Sequence, residues 1–416
     1  MNSVILGFLS LFIFTVLDTD AQSKLSSTPE QKLESTLRFL DSQIDSLSIL
    51  NYEATLQLTE KALKLIEDKY GSFSIEYEKN LIRYGWYLLN NFGPKESAKL
   101  YFQKALLIVK KDVGENHPRY ISPLSGLSKI LVNTKQYDQA IESYQKTLSI
   151  CEKTLGNSHP TYGKILNGLG LAYKRRGKYE KALPMYLEAL KITAKTLGTN
   201  HQNYGSQLDN LGRLYDVLGI YDEALPIYLK SNKICEKHKY KSPRNFATSC
   251  HNLAELYKRL GDYEKAIPLY KKSLEWTLYG HGKQEGKYAY RVANFSNLYR
   301  RMENYERALD IIQNINYIPS NKKSLTYLGY WNEMAHLHLE MGNCQQALEI
   351  ATEKLDFVTS IFGELHIDYG QHLYLLAKAN ECSGNPKKSA AIWAVLNSIN
   401  ETRINKQFRH FSEFEQ

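Results

Sequence analysis

The stretch LGLAYKRRGKYEKALPMYLEA, residues 169–189, decides how the chain folds. From Leu166 to Lys174 apolar residues recur at helical spacing, and Gly177 can then take the positive φ that closes a helix. Beyond that turn Ala182, Tyr186 and Ala189 fall at i, i+4 and i+7, one face of a second helix. The small Ala182 lets this helix lie close to the first. Pro184 is expected in its first turn, where a missing N–H breaks no helical bond, and Pro226 and Pro268 are expected to do the same in its counterparts. The stretch therefore predicts a helical hairpin, helix A followed by helix B.

The same hairpin recurs outward in both directions. A small residue stands at Thr55, Ala98, Ala140, Ala182, Ala224, Ala266, Ala308, Ala347 and Ser389, in steps of 43, then 42 five times, then 39 and 42. Three residues earlier an aromatic stands at Tyr52, Tyr137, Tyr179, Tyr221, Tyr263 and Tyr305, and two before that Gly93, Gly177, Gly219, Gly261, Gly342 or Gly384. Leu155-Gly156, Leu197-Gly198 and Phe362-Gly363 mark the ends of B helices. Tyr120, Tyr162, Tyr204, Phe246, Tyr288, Tyr327 and Tyr369 open seven successive A helices. A hairpin cannot bury both faces alone, so this column reads as packing between repeats. About nine hairpins result, the first degenerate between Ser35 and Gln43.

The pattern Leu169-Gly170, Tyr173, Gly177, Tyr179, Ala182, Tyr186 and Ala189 resembles the tetratricopeptide repeat. Its 42-residue period, with linkers such as Leu155-Gly-Asn-Ser-His-Pro160, is similar to the kinesin-light-chain-like subclass. The resemblance implies an all-α, right-handed α-solenoid over residues 35–397, whose concave wall is made by A helices and holds a peptide or a partner's helix. Residues 398–416 form a C-terminal tail, in which Gln407-Phe408-Arg409 and Phe411-Ser412-Glu413 resemble the segment joining such repeats to a CHAT domain, a caspase-like peptidase module. That resemblance implies the alternative reading of the chain as the sensor half of a peptidase whose catalytic residues have no counterpart here.

The 416 residues are 43% apolar and 23% charged, which excludes wholesale disorder. Their net charge of +9 is spread too thinly to mark a nucleic-acid surface. Val4 to Leu17 form an apolar run too short to span a bilayer, followed by the small residues Thr19 and Ala21. Residues 1–21 accordingly read as a secretory signal and residues 22–34 as a flexible segment, so the chain is expected to be exported and to keep no stable membrane span after signal removal. The odd count of five cysteines predicts no disulfide framework. Cys151 and Cys235 share one repeat position and are expected to be free and buried, and Cys250, Cys344 and Cys382 have no CxxC partner.

Candidate contact residues lie in the A helices. Asn210, Asn252 and Asn294 occupy one slot, 42 residues apart, and a ladder of amides can both donate to and accept from an extended peptide. The slot resembles the asparagine position of the tetratricopeptide carboxylate clamp, with Lys164 at the place of its basic companion. An equally open reading makes these asparagines ties between hairpins. Asn167 and Arg213 complete the candidate set. Lys174-Arg175-Arg176, Lys258-Arg259 and Arg300-Arg301 gather at A-helix ends, where the helix dipole favours cations by about 0.3–1 kcal/mol each, or where an acidic partner is met. His117, His159, His201 and His366 recur in linkers, roughly 10 Å apart by helix-packing distances, too far to share a metal. His336 and His338 point to different helix faces, and Cys250-His251 are adjacent in sequence, which says nothing about a nucleophile and its base. The reading is of a monomeric, non-enzymatic scaffold for a protein or peptide partner, without catalytic residues, metal, cofactor or nucleic acid.

Overall fold

The computed structural model describes residues 29–47, 52–90, 95–281, 286–313, 327–362 and 367–412, and all regular elements among them are helical. The chain divides into two compact units at Gly156. The first holds α1 (Pro29–Leu47), α2 (Tyr52–Tyr70), α3 (Ile75–Asn90), α4 (Lys95–Asp112), α5 (Ile121–Asn133) and α6 (Tyr137–Leu155). The second holds α7 (Pro160–Arg176), α8 (Tyr179–Leu197), α9 (Gln202–Val217), α10 (Tyr221–Lys237), α11 (Pro243–Arg259) and α12 (Tyr263–His281). It continues with α13 (Gly286–Arg301), α14 (Tyr305–Gln313), α15 (Leu328–Glu340), α16 (Cys344–Phe362), α17 (Ile367–Cys382) and α18 (Pro386–Ser412). Odd-numbered helices are the A helices and even-numbered the B helices, so the described residues form nine hairpins, each unit being a solenoidal stack of them.

The repeat columns do what their chemistry requires. Ala98, Ala140, Ala182, Ala224, Ala266, Ala308 and Ala347 are fully buried, with Thr55 and Ser389 nearly so. In α7 and α9 a glycine receives an aromatic ring from helix B: a Cβ on Gly170 would lie 2.9 Å from Tyr186, and one on Gly212 2.9 Å from Tyr228. Helix A ends in a Schellman-type turn. At the end of α7, Gly177 has φ +84° and the Lys178 N–H reaches back to the Tyr173 carbonyl at 2.9 Å. Where the glycine column is interrupted the backbone does not change. Lys135 and Glu303 take its place with φ of 64° and 58°, a left-handed conformation that costs a side chain about 1 kcal/mol or more.

Five expectations need correction or extension. Pro184, Pro226 and Pro268 sit inside α8, α10 and α12, five residues after the first helical residue, so each does remove an i→i−4 bond. All three are at least partly exposed, which leaves the orphaned carbonyls of Glu180, Asp222 and Glu264 on the water side of the helix. Cys344 and Cys382 are joined by a disulfide with a Cα–Cα distance of 5.4 Å. They open α16 and close α17, antiparallel neighbours whose near ends meet in space, a proximity no spacing rule reveals. Cys151, Cys235 and Cys250 are free and buried. Helix α1 starts at Pro29, inside the segment read as flexible, and α18 runs through the boundary at 397 to Ser412. His117, His159 and His201 are N-caps: each Nδ1 accepts the backbone N–H two residues on, at 3.2, 3.1 and 3.1 Å. The segment read as a signal and His366 lie outside the described residues.

Candidate functional site

In the second unit the A helices of successive hairpins are tied edge to edge by polar side chains at repeating positions. Asn210 of α9 donates to Asn167 Oδ1 of α7 at 3.1 Å, and Asn252 of α11 donates to Asp209 Oδ2 of α9 at 3.0 Å. Asn294 instead donates to the Tyr290 carbonyl of its own helix at 2.9 Å. Two of the three slot asparagines are therefore ties between hairpins, and the third braces its own turn. All three side chains are partly exposed. Lys164 is exposed on α7 and Arg213 is half-buried on α9. The structure thus brings Asn167 and Asn210 together, while Lys164 and Asn294 stand apart from that pair in bonding.

The basic residues at A-helix ends belong to the same wall. Lys258 of α11 donates to Glu255 at 3.1 Å and to Asn297 of α13 at 3.2 Å. Arg259 pairs with Asp216 of α9. Arg300 of α13 holds Glu333 of α15 at 2.7 Å and also reaches Glu340. Dipole compensation alone does not account for these cations: they bridge one hairpin to the next, and Lys258 and Glu333 are buried. A buried charge persists only where partners satisfy it.

Two charges matter more than the sequence suggests: Asp209, which no motif marks, and Lys174, which reads there only as one member of a basic cluster. Asp209 is buried, accepts from Ser231 at 3.2 Å as well as from Asn252, and burial pushes its carboxyl up to about 6 against the pull of Arg213. Lys174 closes α7 only 7% exposed, and its Nζ has no hydrogen-bond partner among the described residues. Burial first, then the charges of Arg213 and Arg175, pull its ammonium down to about 7, with Asp209 and Asp216 opposing weakly. Only the chemistry of neighbouring repeats, compared position by position, sets Lys174 apart in the sequence.

Farther along, α15 and α17 frame a trough of about 660 Å³ lined by Asn332, Glu333, His336, Gln371 and Tyr374. Glu333 occupies the asparagine slot of its hairpin, so the trough runs over the same A-helix positions as the ties. His336, partly buried there, is drawn down to about 4 by burial and by Arg300, and is neutral at pH 7.

The adjacent Cys250 and His251 are not poised for covalent chemistry. Burial pushes the Cys250 thiol up to about 12, the opposite of an activated thiolate, and drops the neighbouring His251 to about 3. Among the described residues no three His, Cys, Asp or Glu side chains converge to hold a metal ion. None of the described helices is long and apolar enough to cross a membrane.

Comparison with known proteins agrees with this architecture. A tetratricopeptide-repeat family model matches residues 120–195, 161–237 and 246–314. No curated protein sequence matches the chain. Among solved structures the chain is similar to the apo form of the quorum sensor NprR from B. thuringiensis, at 13% identity over 88% of this chain and 99% of that one, with a TM-score of 0.57. It is similar too to the Rap protein complexed with Competence and Sporulation Factor, at 14% identity over 91% and 99%, with a TM-score of 0.54. A Podosopora anserina putative kinesin light chain with nearly identical TPR-like repeats matches at 21% identity over 48% and 94%, with a TM-score of 0.41. At these identities the two neighbours with TM-scores of 0.57 and 0.54 speak for the fold alone. The repeat columns, the hairpin stack they build and the family match agree that the chain carries tetratricopeptide repeats over residues 120–237 and 246–314.

Proposed function

We propose that the chain is a non-enzymatic interaction scaffold that binds a peptide or protein segment along its A-helix wall. The observation that carries this reading is the wall itself: polar side chains at one repeating set of positions, held in place by ties such as Asn210 to Asn167 and Arg300 to Glu333, and continuing into the trough between α15 and α17. Side chains fixed before binding lose little freedom when a ligand arrives, so a modest number of contacts suffices. One protein of similar fold, the Rap protein, is described in complex with Competence and Sporulation Factor, which supports the use of such a stack as a receptor for another molecule.

The scaffold acts as a monomer, without cofactor or nucleic acid, after export through the leader at residues 1–21. The Cys344–Cys382 pairing supports export, because structural disulfides persist in oxidising compartments. Selection of random 12-residue peptides on the immobilised mature chain tests the binding reading. Substitutions at Asn332 and Gln371 on the A-helix wall are expected to weaken the selected peptides about tenfold, and substitutions at the exposed B-helix residues Glu188 and Lys191 to leave them unchanged. Peptides that respond only to the B-helix changes, or failure to select any, refute it. Cell fractionation tests export: recovery of the full-length chain in the cytosol with its leader intact refutes that part.

A further inference from the structure

Two hairpins of the second unit hold the same pair of donors, and only one of them holds the acceptor. In the hairpin of α11 and α12, Lys258 Nζ and the Tyr270 hydroxyl both donate to Oε1 of Glu255. Glu255 is thus a largely buried carboxylate, its side chain 15% exposed, seated between an A-helix lysine and a B-helix tyrosine. Burial alone would raise its pKa, yet His251, Lys258 and Tyr270 outweigh burial and keep it ionised. Shifted by two repeats, 84 residues, Lys258 becomes Lys174, Tyr270 becomes Tyr186, and Glu255 becomes Leu171. The donors remain and the carboxylate is gone.

The consequence is visible at both donors. Lys174 Nζ and the Tyr186 hydroxyl are each buried and each without a hydrogen-bond partner among the described residues. The positions around them have also turned basic. Where Asn297 of the next A helix accepts from Lys258, the corresponding residue facing Lys174 is Arg213, which forms no hydrogen bond or ion pair with a described residue. Arg213 and Arg175 are the cations acting on both Lys174 and Tyr186. Two acids are near. Asp209 is committed to Ser231 and Asn252, and Asp216 to Arg259, so neither seats itself on Lys174. Buried donors left unmade cost a protein about 1–3 kcal/mol each, more for a charged one, and their retention needs a reason.

We infer that Lys174, Tyr186 and Arg213 form a site for a carboxylate brought by the partner segment, which takes the place that Glu255 fills in the sister hairpin. The inference rests on the scaffold reading above and deepens it: the partner is acidic where it crosses α7 and α9. Arg213 is partly exposed and makes no hydrogen bond or ion pair with a described residue, so its side chain can swing to admit the group. Lys174 and Tyr186 then supply a charge-assisted hydrogen bond and a neutral one, the same two that hold Glu255. This site is separate from the asparagine slot, where Asn210 and Asn252 are engaged between hairpins and Asn294 within its own helix.

The test uses the mature chain with ¹³C-labelled lysine side chains and three short probes: a blocked peptide Ac-GEGEGEG-NH2, its glutamine counterpart, and that glutamine peptide with a free C-terminal carboxylate. At pH about 7.5 the glutamate peptide is expected to shift the Lys174 resonance saturably toward the ammonium form, and the blocked glutamine peptide to leave it in place. A response to the free-carboxylate glutamine peptide alone would assign the site to a chain terminus instead of a side chain, and would overturn the acidic-segment part. Leu171→Glu restores the missing acceptor from within. That variant is expected to melt higher than the parent and to lose the peptide response about tenfold or more. Tyr186→Phe, which keeps the ring against Gly170, is expected to weaken the response at least threefold and serves if Leu171→Glu fails to fold. A Lys174 resonance indifferent to every carboxylate, or a Leu171→Glu protein that folds and responds like the parent, overturns the inference. Peptides selected on the A-helix wall would still bind in that event, so the scaffold reading would survive its failure.

Discussion

Replacing Lys174 with methionine should make the protein more stable at neutral pH and leave it unchanged at high pH. In the folded chain the Lys174 ammonium sits at about 7, down from 10.5, because burial and then Arg213 and Arg175 oppose its charge. An unfolded lysine keeps its ordinary value. Between these two values the unfolded chain binds a proton that the folded chain lacks, so stability rises with pH across the window and the full penalty is present near pH 7 and below. Each tenfold loss of proton affinity on folding is worth about 1.4 kcal/mol, so the drop from the ordinary lysine value amounts to a penalty of about 3–5 kcal/mol. Methionine keeps the length and the apolar stem and does not titrate. Arg213, Arg175, Asp209 and Asp216, the charged groups that act on Lys174, remain in both proteins and largely cancel when the two are compared at the same pH. Asp209 titrates near 6, below the window. Urea unfolding of parent and variant, followed by circular dichroism from about pH 7 to about pH 10.5, should show the variant ahead by about 3–5 kcal/mol at the low end, with the gap closing toward the high end. A gap that does not move with pH, or a parent more stable than the variant at neutral pH, refutes the reasoning. Stability traded against a binding group is common in proteins.

Three other expectations follow from the geometry. Lys135→Gly and Glu303→Gly should each stabilise by up to about 1 kcal/mol, since relief of the left-handed backbone exceeds glycine's greater freedom when unfolded; thermal melts lower than the parent would contradict this. Asn252→Ala, which removes a donor from the buried Asp209, should cost about 1.5–3 kcal/mol, Asn210→Ala about 1 and Asn294→Ala less than about 0.5, an order that denaturant midpoints read directly and that equal losses would refute. Opening the Cys344–Cys382 loop with Cys344→Ser and Cys382→Ser together should cost about 3–4 kcal/mol by loop entropy for its 38-residue separation, and a melt unchanged by dithiothreitol in the parent would contradict the bond's role.

Much of this protein is legible in its sequence because its contacts are local and repeated. The glycine, tyrosine and alanine columns set the turn, the first residue of helix B and the close approach of two helices within some forty residues, so each hairpin follows from its own stretch of chain. Even there the proline column misleads. Its place inside helix B is possible because the lost bond faces water, which is a fact of exposure and not of spacing.

What the tertiary structure alone decides is which polar groups of different hairpins meet. Asn210, Asn252 and Asn294 look alike as a column, yet the first is paired with an amide and the second with a buried carboxylate on the adjoining helix, while the third bonds its own backbone. The end of one A helix and the start of the previous B helix meet at Cys344 and Cys382 for the same reason. Lys174 reads as one of three basic residues closing a helix, and only burial beside Leu171, where a sister hairpin carries Glu255, turns it into a cation without a hydrogen-bonded carboxylate. Periodicity fixes what each helix presents; the energy of a charge depends on what stands opposite, and that is set by packing between repeats.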